Sequence, residues 1–127
     1  MEKEIIPQPT RSELAILKIL WDCGPSTVRQ VNEGMNKTKV TGYTTTLKLM
    51  QIMTDKGLLV RDDSKRTHVY KPAISQEQTQ KHLVGDLLER VFSGSAEQLV
   101  MRALSAKKVS TEELNKIKKM VEEFERN

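Results

Sequence analysis

Thr44, Thr45, Lys48 and Gln51 are hydrogen-bonding side chains spaced so that a helix would carry them on one side, with Tyr43 just before them. Groups of this kind match the edges of nucleic-acid bases. A threonine hydroxyl bonds a base edge or a phosphate, a lysine reaches guanine or phosphate, and a glutamine suits adenine. Such contacts require a position near the N-terminus of a helix lying in a groove, because only there do short side chains reach the bases. Cations that would neutralise phosphate without reading sequence flank the segment: Lys37 and Lys39 before it, Lys65 and Arg66 after it. Ser26 and Thr27 offer hydroxyls to the same backbone. Leu47 and Ile52 lie outside the best apolar stripe and face either thymine methyls or the preceding helices.

No other chemistry is laid out along the chain. His68 and His82 have no cysteine or carboxylate at ligand spacing and read as structural or solvent-facing. The single cysteine, Cys23, excludes an intramolecular disulfide and cannot seed a zinc finger; it reads as a small buried or half-buried residue at a helix end. There is no phosphate-binding glycine loop, no Ser-His-Asp set and no paired-carboxylate motif. Neither an enzyme nor a cofactor or metal is expected.

The proposed reading side chains need elements to hold them. Thr10-Arg-Ser-Glu13 is a capping box, and Leu14, Leu17, Leu20 and Trp21 follow at helical spacing up to about Cys23, where Gly24-Pro25 ends the helix. Ser26 or Thr27 caps a second helix with Val28, Val31 and Met35 on its apolar side, closed by Asn36. Thr41 is a suitable N-cap for a third helix, from about Gly42 to Lys56, with Thr46, Leu49, Met50 and Met53 turned inward and Gly57 stopping it. Leu58-Leu-Val60 and Thr67-His-Val-Tyr-Lys71 read as two strands joined by the polar turn Asp62-Asp-Ser-Lys-Arg66. Three helices and a basic-tipped hairpin, in that order, form a winged helix-turn-helix module.

Beyond Pro72 three further helices are each opened by a capping pair, Ser75/Gln78, Ser95/Gln98 and Ser110/Glu113, with a break at Phe92-Ser-Gly94. The first buries Leu83, Leu87, Leu88 and Val91. The last carries Leu114, Ile117, Val121 and Phe124 as a heptad seam. The expected fold is mainly α: a winged helix-turn-helix DNA-binding domain over residues 1–72, then a three-helix C-terminal dimerisation region over residues 73–127. The seam with Leu87, Val91 and Leu99 suits pairing of two chains; the alternative is that these helices fold back as a monomeric cap.

Charge agrees with this division. The chain of 127 residues has 21 Lys and Arg against 17 Asp and Glu, a net of +4. Residues 1–72 hold 12 basic and 8 acidic side chains, whereas residues 73–127 hold 9 of each, so the excess lies where the reading helix and hairpin lie. The charged stretch at residues 1–10 lacks the apolar core of a leader, and no apolar run approaches the roughly 20 residues that span a bilayer. A cytoplasmic protein without membrane insertion is expected. Taken singly, a threonine-rich helix start is more often a cap and a Lys-Arg turn a solvated loop; their ordered combination indicates double-stranded DNA. A protein-interaction adaptor on the same scaffold remains the alternative, which salt-sensitive DNA binding would exclude.

The runs Leu17-Lys-Ile-Leu-Trp21, Gly24-Pro25-Ser-Thr-Val28-Arg29-Gln30-Val31, Tyr43-Thr-Thr-Thr46, Lys56-Gly57-Leu58-Leu59 and Tyr70-Lys-Pro72, in this order and spacing, resemble the penicillinase-repressor family, which has BlaI- and MecI-type members and copper-responsive relatives. The resemblance covers nearly the whole chain. It implies a homodimeric winged-helix repressor on a palindromic operator. In the antibiotic-responsive members a membrane-embedded sensor protease relieves repression by causing cleavage in the dimerisation region, and the resemblance places the corresponding bond near Arg102 and Ala103. The Asn-Phe pair cut in those members is absent from this chain. The copper-responsive relatives carry Cys-x-Cys motifs near the C-terminus, and this chain has none.

Overall fold

A computed structural model describes residues 8–127; most of the N-terminal stretch weighed as a leader, residues 1–7, lies outside them. The elements are α1 (Arg11–Cys23), α2 (Val28–Met35), α3 (Tyr43–Asp55), β1 (Leu59–Asp62), β2 (Val69–Pro72), α4 (Gln76–Arg90), α5 (Ala96–Ala106) and α6 (Thr111–Arg126). The fold is mainly helical, as the periodicity requires. Two compact units divide inside α4, one running up to Leu83 and the other from Val84 to Asn127.

In the first unit, local spacing accounts for the helix starts. Thr10 accepts the Glu13 amide while Glu13 accepts the Thr10 amide, and Thr27 and Gln30 repeat the reciprocal pair at the start of α2. Gly24 and Gly57 have φ of 84° and 83°, the left-handed conformation in which a Cβ is strained, so each ends the helix before it. At α3 the expected cap shifts by one residue. Gly42 is the N-cap and supplies no side-chain bond, while the Thr41 hydroxyl donates instead to Lys39 O.

The core is Ile16, Leu17 and Leu20 of α1, Val28, Val31 and Met35 of α2, Met50 and Met53 of α3, with Leu58, Leu59 and Tyr70 from the hairpin. Thr46 is fully buried among them, and Leu47 and Leu49 are half-buried against the cluster. At Gly34 an added Cβ would stand 3.0 Å from Ile19 Cδ1, so a side chain there would press on α1. Cys23, expected at least half-buried, is exposed, because α1 ends there with the sulfur on its outer side.

β1 and β2 pair antiparallel in the register Leu59–Pro72 to Asp62–Val69, one or two residues later than the sequence pattern places the strands. The strand therefore continues through Asp62, whose Oδ1 accepts the Ser64 amide at the start of the turn. On its other edge β2 exchanges both backbone bonds of Tyr70 with Ser26, which fastens the α1–α2 link to the hairpin. Trp21 Nε1 donates to Ile74 O at 3.1 Å and holds the segment beyond β2 against α1.

In the second unit Ser95 and Ser110 accept the third-residue amides of α5 and α6, as Ser75 does at the start of α4. The α4–α5 break carries Ser93 at φ 50° and Gly94 at φ 80°. The apolar side chains here are not enclosed within one chain. Leu87 and Val91, expected to be buried by α4, are exposed, as are Val121 and Phe124 of the α6 seam; Leu88, Leu99, Leu114 and Ile117 are half-buried, as is Leu83 at the end of the first unit.

Candidate nucleic-acid interface

α3 presents Tyr43, Thr44, Thr45, Lys48 and Gln51 as exposed side chains, while Thr46, Met50 and Met53 anchor its opposite face at no exposure. The division follows from the 3.6-residue period: three core anchors at i, i+4 and i+7 leave the intervening polar residues outward. Ile52 is 39% exposed and belongs to the outward side.

A cleft of about 830 Å³ lies between the start of α3, α2 and the hairpin turn. Tyr43 and Leu47 line it from α3, Thr27, Arg29 and Asn32 from the α2 side, and Arg66 and His68 from the hairpin. Among the expected site residues, it brings together Tyr43, Thr27 and Arg66. Gln51 lines a separate, smaller depression with Arg61 and Asp63, and Lys37 one beside Ile19 and Cys23. Lys39 and Lys65 are exposed in their loops. Ser26 is buried, and its hydroxyl donates to Gly24 O at 2.8 Å, so its contribution is to hold the hairpin rather than to offer an open hydroxyl. Thr27 Oγ1 accepts the Gln30 amide as the α2 cap.

Not every cation in this half is free to meet an anion. Lys56 Nζ donates to both oxygens of the buried Glu13 carboxylate, at 2.9 and 3.1 Å. Burial pushes the Glu13 carboxyl up, but the Thr10 amide and Lys56 together outweigh it and hold it below the ordinary range. Arg61 grips Asp63 through two nitrogens, at 2.6 and 3.1 Å, which with Tyr70 raises the guanidinium further. Hydrogen bonds from Ser64 hold the Asp62 carboxyl low. Lys37, Lys39, Lys48, Lys65 and Arg66 have no such ion pair among the described residues, so the charge of these five is uncommitted, in the α2–α3 loop, on α3 and at the hairpin tip.

Two residues escaped the sequence reading. Arg29 is exposed on α2 and lines the cleft opposite the hairpin; its place between Val28 and Val31, off their apolar stripe, is the available signal. Asn32 lines the cleft and bonds across to Thr41 and Thr46, partners 9 and 14 residues away that no local spacing announces. His68 Nδ1 stands 3.7 Å from Asp63 Oδ1, a carboxylate neighbour the sequence spacing did not suggest. No group of three or more metal-ligating side chains occurs among the described residues.

In the second unit Arg102 and Ala103 are exposed within α5. No helix of the described residues is long and apolar enough to cross a membrane.

Comparison with known proteins bears on this geometry. The family model described as penicillinase repressor matches residues 9–123. The penicillinase repressor of Bacillus licheniformis is 25% identical over 118 residues, covering 93% of this chain and 92% of that protein. The transcriptional regulator BlaI of Mycobacterium tuberculosis is 25% identical over 114 residues, covering 89% and 82%. Among solved structures, the monomeric form of Bacillus licheniformis BlaI in complex with the blaP half-operator superposes with a TM-score of 0.51 at 26% identity, over 58% of this chain and 90% of that one. The DNA-binding domain of the repressor BlaI gives 0.51 at 27% identity, over 61% and 93%.

Proposed function

The chain belongs to the penicillinase repressor family, and from that premise we propose that it represses transcription as a homodimer on a palindromic operator, with α3 in the major groove and the hairpin along the adjacent backbone. It is a DNA-binding regulator and not an enzyme. The observation that carries this reading is the outward face of α3, where Tyr43, Thr44, Thr45, Lys48 and Gln51 stand exposed beside a cleft that also holds Arg66. The half-operator complex of the Bacillus licheniformis relative supports it.

Residues 1–72 are assigned to DNA and residues 73–127 to pairing. Exposed Leu87, Val91, Val121 and Phe124 support the second assignment, since side chains of this size left open on one chain are the material of an interface. Pairing would set two α3 helices one helical turn of DNA apart. The protein acts in the cytoplasm, where its DNA lies. Release from the operator is assigned to a membrane sensor protease cutting near Arg102 and Ala103; because that bond lies within α5, the helix must open locally first.

The test is anisotropy of a labelled duplex across a range of salt. Binding should weaken steeply with salt, and Lys65→Ala should flatten the slope of log K against log salt by about 2 per dimer, one phosphate per subunit. Salt-insensitive binding, or none, would point to a protein-interaction adaptor instead.

A further inference from the structure

The start of α3 is held from outside itself. Gly42, its N-cap, supplies no side-chain bond, and an added Cβ at Gly42 would meet nothing within 4 Å. A glycine in open space immediately before the helix is a free pivot. Two asparagines four residues apart, Asn32 on α2 and Asn36 at its C-cap, close that pivot. Asn36 Oδ1 accepts the Thr41 amide at 2.7 Å, and Asn32 Nδ2 donates to Thr41 O at 2.8 Å, so both backbone polar groups of the residue before Gly42 are occupied. Asn32 Nδ2 also donates to Thr46 Oγ1 at 2.9 Å, reaching past the pivot into the fully buried face of α3. Asn36 Nδ2 in turn donates to Asn32 Oδ1 at 3.2 Å and to Asn32 O at 2.9 Å. The amide orientations are dictated by chemistry: a carbonyl oxygen only accepts and a backbone N–H only donates.

We propose that Asn32, braced by Asn36, is a positioning residue for sequence recognition, fixing the first turn of α3 so that Thr44, Thr45 and Lys48 meet base edges in register. The inference rests on the reading of α3 as the base-contacting helix. Base contacts tolerate roughly 0.5 Å and 10–20° of misplacement. The phosphate contacts of exposed, flexible lysines are far more forgiving. Loosening the clamp therefore removes specificity and leaves general affinity for DNA. A residue that merely supported the fold would lower both together.

The experiment uses the full chain. Wild-type protein enriches a duplex from a random-sequence library, and affinities are then measured for that duplex and for a scrambled duplex of the same composition. Asn32→Leu and Thr46→Val should each lower the enriched-to-scrambled ratio by about tenfold, the discrimination of one base contact. For Thr46→Val, whose side chain is fully buried and outside the cleft, affinity for the scrambled duplex and the salt slope should match wild type. Thr46→Ser, which keeps the hydroxyl, should restore the ratio. Thr46→Val preserves shape, so it carries the test if Asn32→Leu does not fold. A ratio within about twofold of wild type in a folded variant, or an equal fall in both affinities, overturns the proposal. If wild type enriches no sequence at all, the reading of α3 fails and the inference falls with it.

Discussion

Replacing Lys56 with methionine separates charge that holds the fold from charge that meets DNA. The Glu13 side chain is 2% exposed and accepts the Thr10 amide at 2.8 Å besides the two bonds from Lys56. Lys56→Met leaves this buried carboxylate with the Thr10 amide alone from that set. Breaking a fully buried pair costs about 3–5 kcal/mol, but the lysine side chain is 39% exposed, and exposed pairs contribute at most about 1 kcal/mol. The expected loss is about 2 kcal/mol. With a urea dependence near 2 kcal/mol per molar, the unfolding midpoint should fall by about 1 M. Trp21, the one tryptophan, reports on this unit through its fluorescence.

The pH dependence follows from the sign of the Glu13 shift. Its carboxyl is held below 4.5 in the folded chain, so its stabilising contribution is complete above that value and is lost as pH falls through the folded one. In Lys56→Met burial persists while the lysine's offset is gone. The gap between wild type and variant should therefore be widest near neutrality and close in acid. DNA binding by the folded variant should keep its wild-type salt slope, since Lys56 is committed to Glu13. A midpoint shift under about 0.2 M, or a gap that widens on acidification, would refute the reasoning.

Other outcomes follow from the same geometry. Phe124 is 80% exposed in the single chain, so Phe124→Asp should yield monomers in sedimentation equilibrium without moving the Trp21 unfolding midpoint; retained dimers would place the pairing surface elsewhere. Ser93, with φ 50°, sits where a side chain is strained, so Ser93→Gly should raise the thermal midpoint by a few degrees, corresponding to about 0.5–1 kcal/mol, in a helical circular-dichroism melt. A lower midpoint would mean that Ser93 makes a compensating contact.

Local spacing carried much of the first unit. Thr10/Glu13 and Thr27/Gln30 stand three residues apart, and the Thr46, Met50 and Met53 stripe recurs with the helical period, so both can be read from the chain. What escaped depends on partners distant in sequence. Lys56 counts among the basic residues around α3, yet its charge is spent on Glu13, 43 residues earlier. Ser26 reads as an open hydroxyl, but its backbone pairs with Tyr70, 44 residues later, which buries it, and its hydroxyl turns back to Gly24 O. The cap of α3 was displaced from Thr41 to Gly42 because Asn32 and Asn36 take the Thr41 backbone, a contact made across the turn. In the second unit the apolar period was visible, but its burial is not completed within one chain.

The central claim is that the outward face of α3 reads bases in the major groove of a two-fold site. Dimethyl sulfate interference on the enriched duplex tests it directly, because guanine N7 lies in the major groove and adenine N3 in the minor. The account predicts two clusters of guanines whose N7 methylation blocks binding, related by a dyad and centred about 10 base pairs apart. Tight binding unaffected by methylation at any guanine N7, or blocked only at adenine N3, would contradict it.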